Sequence, residues 1–478
     1  MNGHNDGVDA ASLQLHAPAT RIRYGVLAFL CALAFILYLD RICISQAATD
    51  MEAELGISHT QMGFVLAAFT VAYGLFEIPT GRLGDRFGSR GVLTRIVIWW
   101  SVFTMLTGCV WRFSLDSGWH LGLPGMSWGV PLVLNSFVVL LLIRFLFGAG
   151  EAGALPNTAR VLARWFPATA RGPAQGMINT AALLGGAVAP VAAQALIHSA
   201  GWRWAFVCFG SLGLVWAAAF CSWFRDDPAL HAGVNDAERR RISAGSSPRQ
   251  LTHEAIPWRA VLASANVWLA GLVITCAAFC SYMYFSWYPT YLKKGRGVDD
   301  QQAGWLAGMV LLGGAVGGTL GGFLSDWLVR RTGSRKWGRR LIGVAGLGSA
   351  AVALGLGVRC DQPVPAALLT ALASFCANLH MAAWWGVATD ISGKHVGSLF
   401  GLMNSLGVPG AVASQLYLGR FADWRISLGY TGRDAWDPGF FAYIVALTLG
   451  AFAWLFLDAT VPVEPERSVG DPTSEIVP

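Results

Sequence analysis

The chain has 478 residues, of which 54% are hydrophobic and only 13% are charged. Soluble domains carry about 25% charged residues, so this composition indicates a membrane protein. The formal net charge of +6 comes from arginines clustered between apolar segments rather than from a basic tail, which argues against a nucleic-acid partner.

Twelve apolar segments are long enough for spanning helices of about 20 residues. A polar segment, 225–265, divides them into two sets of six and is interpreted as a cytoplasmic linker. We therefore predict an all-α integral membrane protein of twelve transmembrane helices in two six-helix pseudo-symmetric halves, 21–224 and 266–459, with cytoplasmic tails 1–20 and 460–478. The predicted spans lie near 24–46, 61–80, 91–112, 132–158, 172–198, 204–224, 266–292, 302–328, 341–359, 364–390, 398–420 and 438–459.

The decapeptide GRLGDRFGSR, Gly81–Arg90, lies between the second and third spans. Glycines allow a tight reversal, and its aspartate and arginines can form charge-assisted hydrogen bonds with nearby helix ends. A basic turn that obeys the positive-inside rule would explain the arginines but not the aspartate or the glycine spacing. The segment resembles the signature loop of the major facilitator superfamily of transporters. We predict a gating hinge formed by Gly81, Gly84, Asp85, Arg86 and Arg90.

A similar segment follows the eighth span, where Gly322-Phe323-Leu324-Ser325-Asp326 and Arg331 repeat the offsets of Gly81 to Asp85 and Arg90. The two halves are therefore predicted to be structural repeats, and Asp326 joins the gating set. Arginine-rich loops alternate with poorer ones, which predicts that both termini are cytoplasmic. One loop does not fit this rule, because Lys293, Lys294 and Arg296 fall on the predicted outer side.

Four charged residues lie in or at the end of apolar spans: Asp40, Arg41, Arg144 and Glu151. A charge near the bilayer centre costs at least about 2.5 kcal/mol, so these residues are functional candidates. Arg144 and Glu151 are seven residues apart, two helical turns, and are expected to face one cavity. Two alternatives stay open. Asp40 and Arg41 can mark a solvated helix end, and Arg144 can form a purely structural pair with Glu151 or Asp40.

Motifs across nearly the whole chain resemble the anion:cation symporter family within that superfamily. They are Tyr38-Leu39-Asp40-Arg41, Ala72–Pro79, Arg144 with Gly148–Ala152, Arg164–Pro167, Gly201-Trp202-Arg203, Trp287–Leu292 and Gly401–Asn404. Members of the family move organic anions, notably sugar acids, with protons in bacteria. The resemblance implies that Arg41 holds a substrate carboxylate, that Arg144 attracts the anion and that Asp40 and Glu151 are the proton-coupling acids. Tyr38 and Tyr73 are candidate neutral hydrogen-bond donors.

The substrate contacts predicted in the second half are uncharged: Tyr284, Trp384, Trp385 and Asn404. Aromatic rings can stack on a sugar or an aromatic acid, and asparagine can bind hydroxyl groups. With 21 tryptophans in the chain, many of these rings serve only packing or the bilayer interface. The sequence after Asn404 departs from the family pattern, and Ala181 and Ala182 offer no polar group to a polyol. An aromatic carboxylate is therefore an alternative to a sugar acid.

We predict a proton-coupled symporter that imports an organic carboxylate by alternating access. The alternatives are a proton-driven exporter of a drug or siderophore and, in other classes, a membrane receptor or membrane-embedded enzyme. No His, Cys, Asp or Glu group has the spacing of a catalytic or metal site, so we expect no enzyme activity, no metal and no cofactor besides protons. The expected partners are a small organic anion, protons and the lipid bilayer, with the protein a monomer in the bacterial inner membrane.

Overall fold

The computed structural model describes residues 18–121, 130–243, 258–392 and 396–463. Within them, the first half of the chain forms seven long or medium helices, a two-stranded hairpin and a short helix in the linker. These elements are α1 (Ile22–Leu55), α2 (His59–Phe87), α3 (Ser89–Gly108), β1 (Ser114–Leu121), β2 (Val130–Asn135), α4 (Ser136–Glu151), α5 (Ala154–Trp165), α6 (Ala168–Ala200), α7 (Trp202–Trp223) and α8 (Asp236–Ser243).

The described residues of the second half form helices joined by short connections, with a π-helical turn at Tyr291–Gly295. Its helices are α9 (Trp258–Ala263), α10 (Ala265–Ser286), α11 (Tyr288–Thr290), α12 (Asp300–Thr332), α13 (Arg335–Arg359), α14 (Pro363–Ser392), α15 (Val396–Ser405), α16 (Gly407–Ser427), α17 (Gly432–Trp436) and α18 (Phe440–Phe456).

Each predicted span lies mostly in helix, and the predicted α-helical class is confirmed. Ten spans within the described ranges are long and apolar enough to cross a membrane. The remaining predicted spans, the second and the eleventh, correspond to α2 and to α15 with α16.

The antiparallel hairpin of β1 and β2 was not predicted from the sequence. The fourth span was predicted to start at 132, but Val130–Asn135 is a strand and the helix begins at Ser136. The Asn135 side chain accepts a hydrogen bond from the backbone N of Val138 at 3.0 Å, a standard N-cap that ends the strand and starts the helix.

Two compact units divide the chain. The first contains the residues up to 251 with Phe285–Leu312 and Gln415–Trp436, and the second contains Thr252–Tyr284, Gly313–Ser414 and the residues from Asp437. The core of the first unit includes a row of stacked rings along α7. The Trp216 and Phe220 centroids are 4.6 Å apart, and those of Phe220 and Phe224 are 4.5 Å apart.

A row of glycines allows α12 to approach α14 closely in the second unit. Gly313, Gly317 and Gly321 recur every four residues, and a Cβ atom on any of them would overlap a backbone carbonyl oxygen of α14. Small residues at this spacing are typical of membrane helix pairs, where close backbone packing replaces the hydrophobic effect.

The predicted hinge is narrower than Gly81–Arg90. Helix α2 continues through Gly81 and Gly84 to Phe87, and the chain reverses at Gly88, whose φ of 79° favours glycine. The side chains of Arg82 and Asp85 lie outside the described side chains, so the predicted bond of Asp85 stays a prediction. Arg86 is exposed.

Arg90 fastens the start of α3 to the end of α7. Its backbone N donates to Asp226 Oδ1 at 3.0 Å, and its Nε donates to the carbonyl oxygen of Cys221 at 2.8 Å. Its Nη2 also donates to that carbonyl. The guanidinium thus satisfies a carbonyl at a helix end, where the helix dipole favours positive charge.

The second half repeats this arrangement with a different residue from the one predicted. Arg340 Nε donates to the carbonyl oxygen of Leu457 at 2.7 Å, just beyond α18, whereas Arg331 was the predicted counterpart of Arg90. Lys336 pairs with Asp458 at 2.5 Å. Partial burial raises the pKa of Asp458, but its bonds to Lys336 and Thr460 outweigh that effect and hold the pKa at about 2. Asp326 is exposed, and its gating role stays a prediction.

We expect Arg90→Lys to destabilise the protein by about 1 kcal/mol, because an ammonium group cannot reproduce the two-nitrogen contact with the Cys221 carbonyl. The midpoint of thermal unfolding of the purified protein measures this effect. Arg86→Lys is the matched control, since the exposed Arg86 forms no hydrogen bond within the described part of the chain. Equal midpoints for the two variants would contradict the fastening role of Arg90.

Candidate functional site

The four intramembrane charges predicted from the sequence cluster in the first unit. Arg41, on α1, donates through Nε to Glu151 Oε1 at the end of α4, and its Nη2 pairs with the same oxygen. The Glu151 side chain is fully buried, whereas 17% of the Arg41 side chain is exposed. An incoming ligand therefore reaches the guanidinium more readily than the carboxylate.

Asp40 and Arg144 complete the cluster without joining the ion pair. Both are almost completely buried. Asp40 lies within electrostatic range of Glu151 and Arg144. In the described part of the structure, Arg144 Nε and Glu151 Oε2 have no hydrogen-bond partner, whereas the Trp100 side chain lies close to the Asp40 carboxyl group. A buried polar atom without a partner is costly, so this site has capacity for a ligand or a proton.

Aromatic rings surround both guanidinium groups. The Arg41 Cζ atom lies 4.7 Å from the Tyr73 ring centroid and 5.5 Å from that of Tyr38. The Arg144 Cζ atom lies 4.5 Å from the centroid of Phe147. Phe69 contacts both arginines, at 5.2 and 5.4 Å. Such faces attract cations, and the effect is strongest where water is excluded. The predicted site residues Tyr38 and Tyr73 thus contact Arg41.

Two features of the fourth span position Glu151. The helix is interrupted directly after this residue, at Ala152 and Gly153, where the sequence predicted a continuous span. One turn earlier, Gly148 packs against the backbone of α2, and a Cβ atom there would overlap the carbonyl oxygen of Phe69. The close approach of α2 and α4 therefore brings Arg144 and Glu151 to the aromatic side chains of α2.

The predicted contacts of the second half belong to the second unit. Tyr284 and Trp384 are buried, whereas Trp385 and Asn404 are exposed. The indole Nε1 of Trp384 donates to the carbonyl oxygen of Ala270 at 2.9 Å, a contact between α14 and α10 that serves packing. The substrate roles of all four residues stay predictions.

A second polar cluster, which we call the lysine latch, lies within the first unit and was not predicted. Lys293 Nζ donates to the carbonyl oxygen of Gln46 at 3.2 Å and to Gln194 Oε1 at 3.1 Å, and it pairs with Asp300 at 2.8 Å. Only 6% of the Lys293 side chain is exposed. Lys293, which did not fit the positive-inside rule, is thus a buried hydrogen-bonding residue. Its position on the predicted outer side was the sequence signal that could have identified it.

A further buried contact joins α2 to α16. Thr70 Oγ1 donates to Gln415 Oε1 at 2.9 Å, and Gln415 Nε2 donates to Ser286 Oγ at 3.2 Å. The indole of Trp287 donates to the carbonyl oxygen of Gln415 at 2.9 Å. Together with the lysine latch, this chain of bonds ties the α10–α11 junction and α16 to helices of the first half.

The family model of the Major Facilitator Superfamily matches residues 30–415. A probable sulfoacetate transporter of Cupriavidus necator is 32% identical over 458 residues, which cover 94% of this chain and 97% of that protein. A probable galactarate/D-glucarate transporter of Escherichia coli is 31% identical over 416 residues, covering 84% of this chain and 87% of the relative.

Solved structures share the fold. A bacterial homologue of the human lysosomal transporter Spinster, in an inward-facing and occupied conformation, aligns with a TM-score of 0.73 and 19% identity, over 92% of this chain and 97% of that one. The D-xylose–proton symporter aligns with a TM-score of 0.67 and 15% identity, over 92% and 98% of the two chains.

We expect Gly148→Ala to destabilise the protein by about 1 to 3 kcal/mol, because the added methyl group forces α2 and α4 apart. Gly176→Ala is the matched control, since a Cβ atom at this position of α6 meets nothing within 4 Å. The control is expected to be neutral or slightly stabilising. Thermal unfolding of both variants measures the difference, and indistinguishable midpoints would show that the approach at Gly148 is not required.

Proposed function

Because the chain belongs to the major facilitator superfamily of membrane transporters, we propose that it is a proton-coupled symporter that imports a small organic anion by alternating access. The observation that carries this proposal is the buried pair of Arg41 and Glu151, with Asp40 and Arg144 beside it. Two cations and two acids in one enclosed cluster provide both an anion site and a proton site.

Arg41 holds either Glu151 or the substrate, but not both with full strength. Its guanidinium fork suits a carboxylate or sulfonate group, and in this state the fork is occupied by Glu151. Breaking a buried ion pair without a replacement costs about 3 to 5 kcal/mol. A substrate acid group that replaces Glu151 supplies the new partner for Arg41.

The displaced Glu151 then needs a proton. Its second oxygen has no hydrogen-bond partner among the described residues, and its side chain has no exposed surface. Without Arg41, the buried Glu151 carboxylate would have to share the charge of Arg144 with Asp40, and protonation removes the excess negative charge. Binding of the anion and uptake of a proton are therefore coupled at one pair of side chains. Asp40, beside the pair, is the second candidate acid.

Alternating access requires contacts that form in one state and break in another. The lysine latch and the Arg90 contact with Cys221 are the candidates at the two ends of the first-half helices. The latch joins residues from α1, α6 and the π-helical turn, all through bonds near 3 Å. We assign its opening to the step that exposes the Arg41 site on that side.

The names of two relatives support the substrate class. One relative is named for sulfoacetate and another for galactarate and D-glucarate. Each of these compounds carries two acidic groups, which suits a site with two arginines, Arg41 and Arg144. We therefore place sulfonated or carboxylated dianions first among the substrates to be tested, with an aromatic acid such as benzoate as the alternative of lower polarity.

We expect Glu151→Gln to abolish uphill accumulation while it preserves exchange of substrate across the membrane. The amide imitates the protonated acid, so Arg41 can bind the anion but no proton is carried. The measurement uses proteoliposomes with an imposed inward proton gradient and radiolabelled sulfoacetate or D-glucarate.

Glu77→Gln is the matched control. Glu77 lies on α2 within electrostatic range of Arg41, but it forms no ion pair within the residues that the structure describes. This variant should accumulate substrate at close to the normal level. Uphill accumulation by Glu151→Gln at the normal level would remove Glu151 from the coupling step.

A further inference from the structure

A cleft of about 550 Å³ opens between the first turns of α1 and α6, apart from the Arg41 site. Tyr24 and Leu27 line it from α1, Thr169 and Met177 line it from α6, and Arg241 reaches it from the linker helix α8. Arg41 lies 18 residues beyond Arg23 on α1, which corresponds to about 27 Å along the helix axis. The cleft is therefore a separate site.

Its polar end is held in place by Glu238. This fully buried carboxylate accepts hydrogen bonds from the backbone N atoms of Ile22 and Arg23, both at 3.2 Å, and pairs with the Arg23 guanidinium at 3.1 Å. Glu238 thus caps the start of α1 and docks α8 against it. The docking places Arg241, in the last turn of α8, at the mouth of the cleft.

Arg241 is available for a ligand. Its side chain is exposed, and it forms no hydrogen bond or ion pair with any residue that the structure describes. Arg23 lies at the same end with 11% of its side chain exposed, and Glu238 neutralises much of its charge. Among the described residues, the net charge at the mouth is therefore positive, and none of them neutralises the charge of Arg241.

The rest of the cleft is apolar and open. Tyr24 is 52% exposed and Met177 is 56% exposed, and both lie in the first three turns of spanning helices. A tyrosine at this depth is typical of the bilayer interface. An arginine at the mouth of an apolar cleft at a helix end matches a molecule that joins an anionic group to a hydrocarbon chain.

We propose that this cleft binds one anionic phospholipid. The phosphate lies against Arg241, the glycerol region lies beside Tyr24 and Thr169, and one acyl chain follows Leu27 and Met177. A zwitterionic phospholipid fits the apolar part equally well but lacks the net negative charge that complements Arg241. Occupancy ties the linker helix, the start of α1 and the start of α6 to the bilayer surface.

The test measures phosphatidylglycerol and phosphatidylcholine binding to the purified full chain by native mass spectrometry. Arg241→Gln should weaken phosphatidylglycerol binding about fivefold, the effect of one basic residue near an anionic surface. Arg240→Gln is the matched control, because it removes the same charge from the same exposed helix but Arg240 does not line the cleft. Arg23 is left intact, since its removal would leave the buried Glu238 carboxylate without its ion-pair partner.

Thr169→Trp fills the cleft from an exposed position and should weaken binding of the same lipid with no change in charge. Equal losses in Arg240→Gln and Arg241→Gln would overturn the proposal in favour of a diffuse basic surface. Equal binding of the two lipids by the unmodified protein would also overturn it. Displacement of the lipid by glycerol 3-phosphate alone would show that the acyl chain contributes nothing, and would assign the site to a free phosphate compound.

Discussion

The proposed coupling of anion binding to proton uptake depends on the buried ion pair between Arg41 and Glu151. Charges inside a membrane protein must be paired, hydrated or neutralised, and breaking this pair without a replacement costs more than one hydrogen bond can return. Arg41 has some exposed surface and Glu151 has none. We therefore propose that an arriving anion replaces Glu151 as the partner of Arg41 and that Glu151 then takes up a proton.

The surrounding fold holds Glu151 at the end of α4, beside Arg41 in the middle of α1. Gly148 lets α2 and α4 approach closely, and the interruption after Glu151 frees the last turn of α4 from a continuous helix. The contacts at the helix ends are hydrogen bonds from arginines to backbone carbonyl groups. Arg90 and Arg340 form such bonds at related positions in the two halves, so the halves share these contacts as well as the order of their helices.

Much of this arrangement follows from the sequence. Hydropathy located the helices, because a spanning segment must be long and apolar, and intramembrane charges singled out the four residues that cluster. The partner of Arg41 did not follow, since Arg41 and Glu151 are 110 residues apart and only tertiary packing joins them. Residues 132–135 of the strand Val130–Asn135 were assigned to a helix because short apolar segments fit both structures. Lys293 was considered only for topology, because local sequence does not reveal burial by a neighbouring helix.

The proposed exchange of Glu151 for a substrate anion at Arg41 is tested most directly by measuring proton uptake during anion binding. Calorimetric titration of the purified protein with sulfoacetate or D-glucarate, in buffers of different ionisation enthalpy, counts the protons exchanged per anion bound. We expect the unmodified protein to take up about one proton per anion bound, because anion binding and proton binding are thermodynamically linked. We expect no proton uptake in Glu151→Gln. Binding of the anion without proton uptake by the unmodified protein would contradict the exchange of partners at Arg41.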